Sequence, residues 1–157
     1  MFRGDYQKGR AQLSSLVAGS EAPFDAVVAY GALLLKEGRV AMARQQFRRA
    51  LTVTPNHPKV LTMLAEVYLT SGAEYNPDYA RQTATLACQS SGWMSPEALH
   101  VLAEAFKALD DRLSALATAV RAREAGSKLL SGYKNVKDID TLIDTLASAK
   151  QDRGTLT

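Results

Sequence analysis

The chain has 157 residues, 46% of them hydrophobic and 22% charged, and its formal net charge is +3. The length suits one domain or one short array of repeats, and the composition is that of an ordinary globular protein. So small a positive charge does not indicate nucleic-acid binding, and the longest strongly apolar run, residues 26–35, is about half a membrane span.

Glycine and proline divide the chain into windows with helical periodicity, and no window shows sustained strand alternation. An amphipathic helix is predicted first over residues 5–18. Asn76 and Ser95 each precede a proline and predict the starts of two later helices. Asn and Ser are favoured as N-caps, and proline is favoured at the first helical position. A last amphipathic helix is predicted over residues 135–150. The windows together predict an all-α chain of about eight helices.

One spacing of large and small residues occurs three times. Gly31, Ala65 and Ala103 each follow a large residue and lie three positions before another. The first two are 34 residues apart and the last two 38, and most of the surplus falls in a loop at residues 73–78. Two alanines seven positions apart follow in each unit: Ala43 and Ala50, Ala80 and Ala87, Ala115 and Ala122. A glycine inside a helix costs about 0.5–1 kcal/mol relative to alanine, so we expect Gly31 to allow a close helix approach.

This pattern resembles the tetratricopeptide repeat, a helix pair of about 34 residues with a W-x-x-L-G-x-x-Y…A-x-x-x-F…P signature. The resemblance covers roughly residues 24–129. It departs from the signature where Val27 replaces tryptophan, and where Ala84 and Ala119 replace the aromatic residue that Phe47 supplies in the first unit.

The resemblance implies a right-handed superhelical solenoid of antiparallel helix pairs, in one domain over the whole chain. The expected repeats span residues 24–57, residues 58–94 with a short insertion between the helices, and residues 95–129. Capping helices are expected at residues 5–18 and 135–150.

No motif in the sequence predicts catalysis. His57 and His100 lack Cys or His partners at ligand spacing, and no phosphate-binding glycine loop occurs. Cys88 lies in an alanine-rich helical window, where burial is expected. Apart from Phe47, which the repeat pattern assigns to the packed face of its helix, no aromatic residue lies among Arg44 and Arg48, which disfavours stacking on single-stranded nucleic acid. We therefore expect no catalytic residue, no metal, no cofactor and no nucleic-acid partner.

The resemblance implies a protein-binding surface on the concave side, lined mostly by the first helix of each pair. Its register is apolar in the first unit and acidic further on, which suits a peptide or helix with apolar anchors and a basic residue facing Glu66 and Glu104. Some family members clamp a C-terminal carboxylate with lysine, arginine and asparagine, but Lys59 is the only basic residue at the matching positions here. The expected groove residues are Val28, Ala32, Leu35, Lys36, Lys59, Thr62, Glu66, Leu69, His100, Glu104 and Lys107.

Three functions stay open at this point. The first is a scaffold or adaptor, in a bacterial multiprotein assembly, that binds a peptide or helix. The second is a soluble repeat segment of a cell-envelope export, secretion, exopolysaccharide or pilus-biogenesis system. The third is a structural module that forms homo-oligomers. A cytoplasmic location is expected, or a periplasmic one if the chain is part of an envelope protein, with membrane contact only through a partner or a missing segment.

Overall fold

The computed structural model describes residues 2–129 and 132–154, with side chains over residues 4–129 and 132–148. Within these residues the chain forms eight α-helices and no strand. No helix in this part of the chain is long and apolar enough to cross a membrane. The helices are α1 (Phe2–Val17), α2 (Phe24–Lys36), α3 (Val40–Val53), α4 (Pro58–Leu69), α5 (Pro77–Ser90), α6 (Pro96–Ala108), α7 (Arg112–Ser127) and α8 (Val136–Gly154).

Polar caps set the starts of three helices. The side chains of Asn76, Ser95 and Asp111 accept hydrogen bonds from backbone N–H groups in the first turns of α5, α6 and α7. Proline opens α5 and α6, where its missing N–H costs no helical hydrogen bond. Gly38 ends α2 at φ 80°, a left-handed conformation that favours glycine. The caps predicted from the sequence at Asn76 and Ser95 are confirmed.

Three helix pairs, α2–α3, α4–α5 and α6–α7, make the most extensive contacts. The first helices of the pairs also contact one another, α2 with α4 and α4 with α6, so they share one side of the stack. The result is a solenoid of antiparallel helix pairs, which confirms the predicted fold class.

The small residue of each first helix lies where its pair packs most closely. A Cβ atom added to Gly31 would lie 2.6 Å from Cε1 of Phe47, whose side chain is fully buried. In the second and third units Ala65 and Ala103 are fully buried, and the position of the phenylalanine is taken by Ala84 and Ala119. Glycine in the first helix therefore accompanies the one large aromatic residue in the second.

The outer helices close the two ends of the stack. Helix α1 packs on α2, and the guanidinium of Arg49 donates hydrogen bonds to the carbonyl oxygens of Val17, at 2.6 Å, and of Gly19. At the other end α8 packs on α7. Helix α1 begins three residues before the predicted residue 5, and α8 continues to Gly154, past the predicted residue 150, because no proline interrupts either segment.

Candidate partner-binding groove

The eleven residues predicted to line the groove fall into three groups by exposure. Val28 and Thr62 are buried, and the Thr62 hydroxyl donates a hydrogen bond to the carbonyl oxygen of Pro58 at 2.8 Å. The half-buried residues are Ala32, Leu35, Leu69, His100 and Glu104. Those exposed to solvent are Lys36, Lys59, Glu66 and Lys107. Val28 and Thr62 thus belong to the wall of the stack and offer a partner little surface.

Four of the predicted residues meet in one pocket between α4, α6 and the segment that leads into α8. This pocket has a volume of about 430 Å³ and contains Glu66, Leu69, His100 and Glu104. It is also lined by Thr70, Glu97, Val101, Tyr133 and Asn135. A second pocket of about 310 Å³ shares His100 and Glu104 and extends to Lys107 and the α8 residues Asp138, Thr141, Leu142 and Thr145. We call the two pockets together the acidic groove.

His100 is one of the two side chains that line both pockets, and Glu104 is the other. The Nδ1 atom of His100 lies 3.1 Å from the hydroxyl oxygen of Tyr133, and its Nε2 atom lies 3.7 Å from Oε1 of Glu104. The rings of His100 and Tyr133 meet edge to face, with centroids 6.1 Å apart. These contacts hold the imidazole between a phenol and a carboxylate, so the floor of the groove is arranged before any partner arrives.

The two acids expected to face a partner have opposite electrostatic environments. Glu66 lines the pocket and is exposed to solvent, but the protein around it removes part of its hydration, and this desolvation raises the pKa of its carboxyl. The polar contact with the imidazole of His100 lowers the pKa of the Glu104 carboxyl despite its burial. A cation placed between them would favour the charged form of Glu66 and replace its lost hydration.

Tyr133 is a groove residue that the sequence did not identify. It is 8% exposed, and burial raises the pKa of its hydroxyl. Its place depends on Gly126 in α7, because a Cβ atom there would lie 2.8 Å from Cβ of Tyr133. The sequence signal was a pair of glycines, Gly126 and Gly132, on either side of a short link between helices.

Other groups with chemical potential have structural surroundings. Cys88 is fully buried, as predicted, and burial raises the pKa of its thiol to about 11. The ring of His57 packs on Phe24, with centroids 5.2 Å apart. In the part of the chain that the structure describes, no group of three or more His, Cys, Asp or Glu side chains is placed to hold a metal ion.

Comparison with known proteins agrees with this architecture. A family model described as Tetratricopeptide repeat matches residues 24–67, and no curated protein matches the sequence. The TPR domain of Sgt2 from Aspergillus fumigatus has a TM-score of 0.73 at 19% identity, over 84% of this chain and 82% of that one.

Two bacterial structures have the same arrangement of helices. PcrH of Pseudomonas aeruginosa, solved in complex with the chaperone-binding region of PopD, has a TM-score of 0.73 at 15% identity, over 85% of this chain and 97% of that one. SycD, a type III secretion translocator chaperone of Yersinia enterocolitica, has a TM-score of 0.72 at 11% identity, over 81% and 93%. The chain therefore has the tetratricopeptide repeat fold, and the prediction from the sequence is confirmed.

Proposed function

We propose that this protein is a non-catalytic interaction module that binds a peptide or helix of a partner protein in the acidic groove. The observation that carries the proposal is the pair of adjoining pockets along α6, where Glu66 and Glu104 flank the ordered side chain of His100. Concave grooves with apolar walls and a few placed polar groups are where proteins bind ligands and partner segments.

The lining of the groove specifies the chemistry of the partner segment. Leu69 and Val101 provide apolar contacts beside three carboxylates, those of Glu66, Glu97 and Glu104. A partner segment matches this arrangement when an apolar side chain and a lysine or arginine lie on the same face. They are then one turn apart if the segment is a helix, or two residues apart if it is extended. The basic side chain would lie between Glu66 and Glu104.

Solved complexes of the same fold support a polypeptide ligand. PcrH was solved with the chaperone-binding region of PopD. SycD is a translocator chaperone of type III secretion. By analogy of fold alone, we extend the proposal to a bacterial multiprotein assembly, of which secretion is the best-supported example. A cytoplasmic location is part of this proposal, because the buried Cys88 requires no oxidising compartment.

A peptide-display selection on the immobilised protein tests the groove. We expect one group of the selected peptides to share an apolar residue near a lysine or arginine. Their affinity should fall about tenfold or more for the Glu66→Lys, Glu104→Lys double variant, because both substitutions place like charges opposite the peptide.

The matched control reverses two exposed acids elsewhere, Glu21→Lys and Glu124→Lys. Both double variants raise the formal net charge of +3 by four, so a general charge effect would weaken both equally. Equal affinities for the two variants, or a selection that yields no peptide with a basic residue, would refute the groove proposal.

Self-association is the second candidate function, since one SycD structure is described as an alternative dimer. In this chain Tyr6 and Leu16 of the terminal helix α1 are 47% and 52% exposed. Light scattering over a concentration series distinguishes the two functions. A mass that stays that of one chain excludes self-association, and a mass that doubles and falls again in a Leu16→Ser variant supports it.

A further inference from the structure

Another pocket lies outside the acidic groove, on the side of the stack that α3 and α5, the second helices of the first two pairs, form. Its volume is about 520 Å³. Its floor is apolar and buried, formed by Leu61, Leu64 and Tyr68 of α4. Its rim carries Tyr75, Tyr79 and Leu86, whose exposed fractions are 47%, 54% and 44%. We call it the convex pocket.

The insertion in the second unit builds this pocket. Residues 70–76 join α4 to α5, whereas residues 37–39 and 109–111 are enough in the other two units. The longer connection places Ala73, Glu74, Tyr75 and Asn76 along the pocket. The convex pocket is therefore a feature of this unit and not of the repeat in general.

The inserted segment is held in one conformation. The backbone N–H of Asn76 donates a hydrogen bond to the Tyr68 carbonyl oxygen at 2.8 Å, and the Asn76 side chain caps α5. Glu74 forms an ion pair with Arg44 at 2.7 Å, and its carboxylate is mostly shielded from solvent. Tyr79 packs on Tyr68 with ring centroids 5.6 Å apart. A fixed loop that still exposes large aromatic residues loses little entropy when a partner covers it.

The charges that line the pocket decide what it can hold. Of the described residues that line it, three carry a charge: Arg44, Arg48 and Glu74. Arg44 and Glu74 neutralise each other, while Arg48 is exposed and has no ion pair or hydrogen bond within the described residues. One unpaired cation thus lies beside an apolar floor, and it complements a carboxylate. Tyrosine and arginine are also the residues that contribute most to binding at protein interfaces.

We propose that the convex pocket binds a segment of a second partner protein, with a large apolar side chain on the floor and an aspartate or glutamate paired with Arg48. This surface is independent of the acidic groove and prefers the opposite charge. A protein with both surfaces would connect an acidic-apolar segment of one partner to a basic-apolar segment of another.

Two synthetic probes test the proposal by fluorescence anisotropy. One is a labelled peptide in which leucine and phenylalanine are interspersed with glutamate, and the other carries lysine at the glutamate positions. We expect the acidic peptide to bind the wild-type protein and to bind Arg48→Glu about tenfold more weakly, since a charge-assisted contact becomes a repulsive one. Tyr79→Ser should weaken it by a similar factor.

Matched variants separate this surface from the rest of the molecule. Leu113→Ser removes another exposed side chain, 74% exposed on α7, and should leave the affinity of the acidic peptide unchanged. The Glu66→Lys, Glu104→Lys variant should not weaken it either. Circular dichroism verifies the fold of each variant, and Arg48→Gln replaces Arg48→Glu if the reversal unfolds the chain.

Three outcomes would overturn the proposal. The first is that the acidic peptide does not bind, and the second is that Arg48→Glu leaves its affinity unchanged. The third is that the protein forms a dimer that Tyr79→Ser abolishes, which would identify a second copy of the chain as the occupant of the pocket. None of these outcomes bears on the acidic groove. The proposed function is refuted by a different result, namely that the affinity of basic-apolar peptides is the same for the wild-type protein and for the Glu66→Lys, Glu104→Lys variant.

Discussion

The contact between Gly31 and Phe47 predicts an unusual response to a small substitution. Glycine to alanine inside a helix normally stabilises a protein by about 0.5–1 kcal/mol. Here the new methyl group would lie 2.6 Å from Cε1 and 2.9 Å from Cδ1 of the fully buried Phe47 ring. Overpacking of this kind costs about 1–3 kcal/mol. The net expectation is that Gly31→Ala lowers the free energy of unfolding by about 1 kcal/mol, the middle of the overpacking cost minus the middle of the helix gain.

A second substitution should reverse the sign of this effect. Phe47→Ala alone should cost about 3–5 kcal/mol, because it empties the site of a buried ring. In that background Gly31→Ala meets no ring and recreates the alanine pair that the second unit has at Ala65 and Ala84. It should then stabilise the chain by about 0.5–1 kcal/mol.

Urea unfolding of the four proteins, followed by circular dichroism, measures the coupling between the two positions. Gly9→Ala in α1 is the control, because a Cβ atom there would meet nothing within 4 Å and should only stabilise the helix. If Gly31→Ala stabilises the wild-type protein as much as Gly9→Ala does, or has the same effect with and without Phe47, then close packing is not the reason for the glycine.

Three further predictions concern the turns and the acidic groove. Hydrogen bonds from Tyr6 and Arg10 lower the pKa of the Glu37 carboxyl below its ordinary value of 4.5. The stabilisation that the charged carboxylate contributes is therefore present above that pH and is lost as the pH falls through the lowered pKa. Unfolding of Glu37→Gln across pH 3 to 7 should show a flatter acid limb than wild type, and identical pH profiles would contradict this. Asp110→Gly should raise the free energy of unfolding by about 0.5–1 kcal/mol in urea, because Asp110 has φ 59°, and a loss of stability would contradict it. Gly126→Ala should displace the segment that carries Tyr133 and lower the free energy of unfolding by about 1–3 kcal/mol. It should also lower the affinity of the peptides selected on the acidic groove, and an unchanged affinity would show that this segment does not shape the groove.

The position of each helix pair could be predicted from the sequence because the pattern that encodes it is local. A small residue at Gly31, Ala65 or Ala103, between large residues one position before and three positions after, marks the face where two helices approach. The caps at Asn76 and Ser95 act on N–H groups in the next turn, so neighbouring residues are enough to identify them.

The composition of the groove could be predicted only in part. Glu66, His100 and Glu104 follow from the repeat register, and the structure brings them into one pocket. Whether a register position is open depends on the neighbouring helices, and Val28 is buried in a core cluster that residues of α1, α3 and α4 also form. Tyr133 lies beyond the last repeat, where no register applies.

The arginines of α3 show the same limit on the outer surface. In the sequence the one aromatic residue between Arg44 and Arg48 is Phe47, which is buried in the core, but in the structure Tyr75 and Tyr79 line the same pocket as the arginines. They come from the next unit, brought there by an insertion whose length could be predicted but whose path could not. A loop's course is set by long-range contacts such as the ion pair between Arg44 and Glu74.

The sequence by itself determined the helices, their pairing and the order in which they stack, because contacts between residues close in the chain specify them. Only the tertiary structure decided which side chains meet across units. It placed Tyr133 against His100 and, among the residues that the structure describes, left Arg48 without an ion pair or hydrogen bond beside two exposed tyrosines. Those arrangements depend on how far each unit is shifted and rotated relative to the next. The shift and rotation are set by side-chain packing at every interface between units, so no single segment of the sequence encodes them.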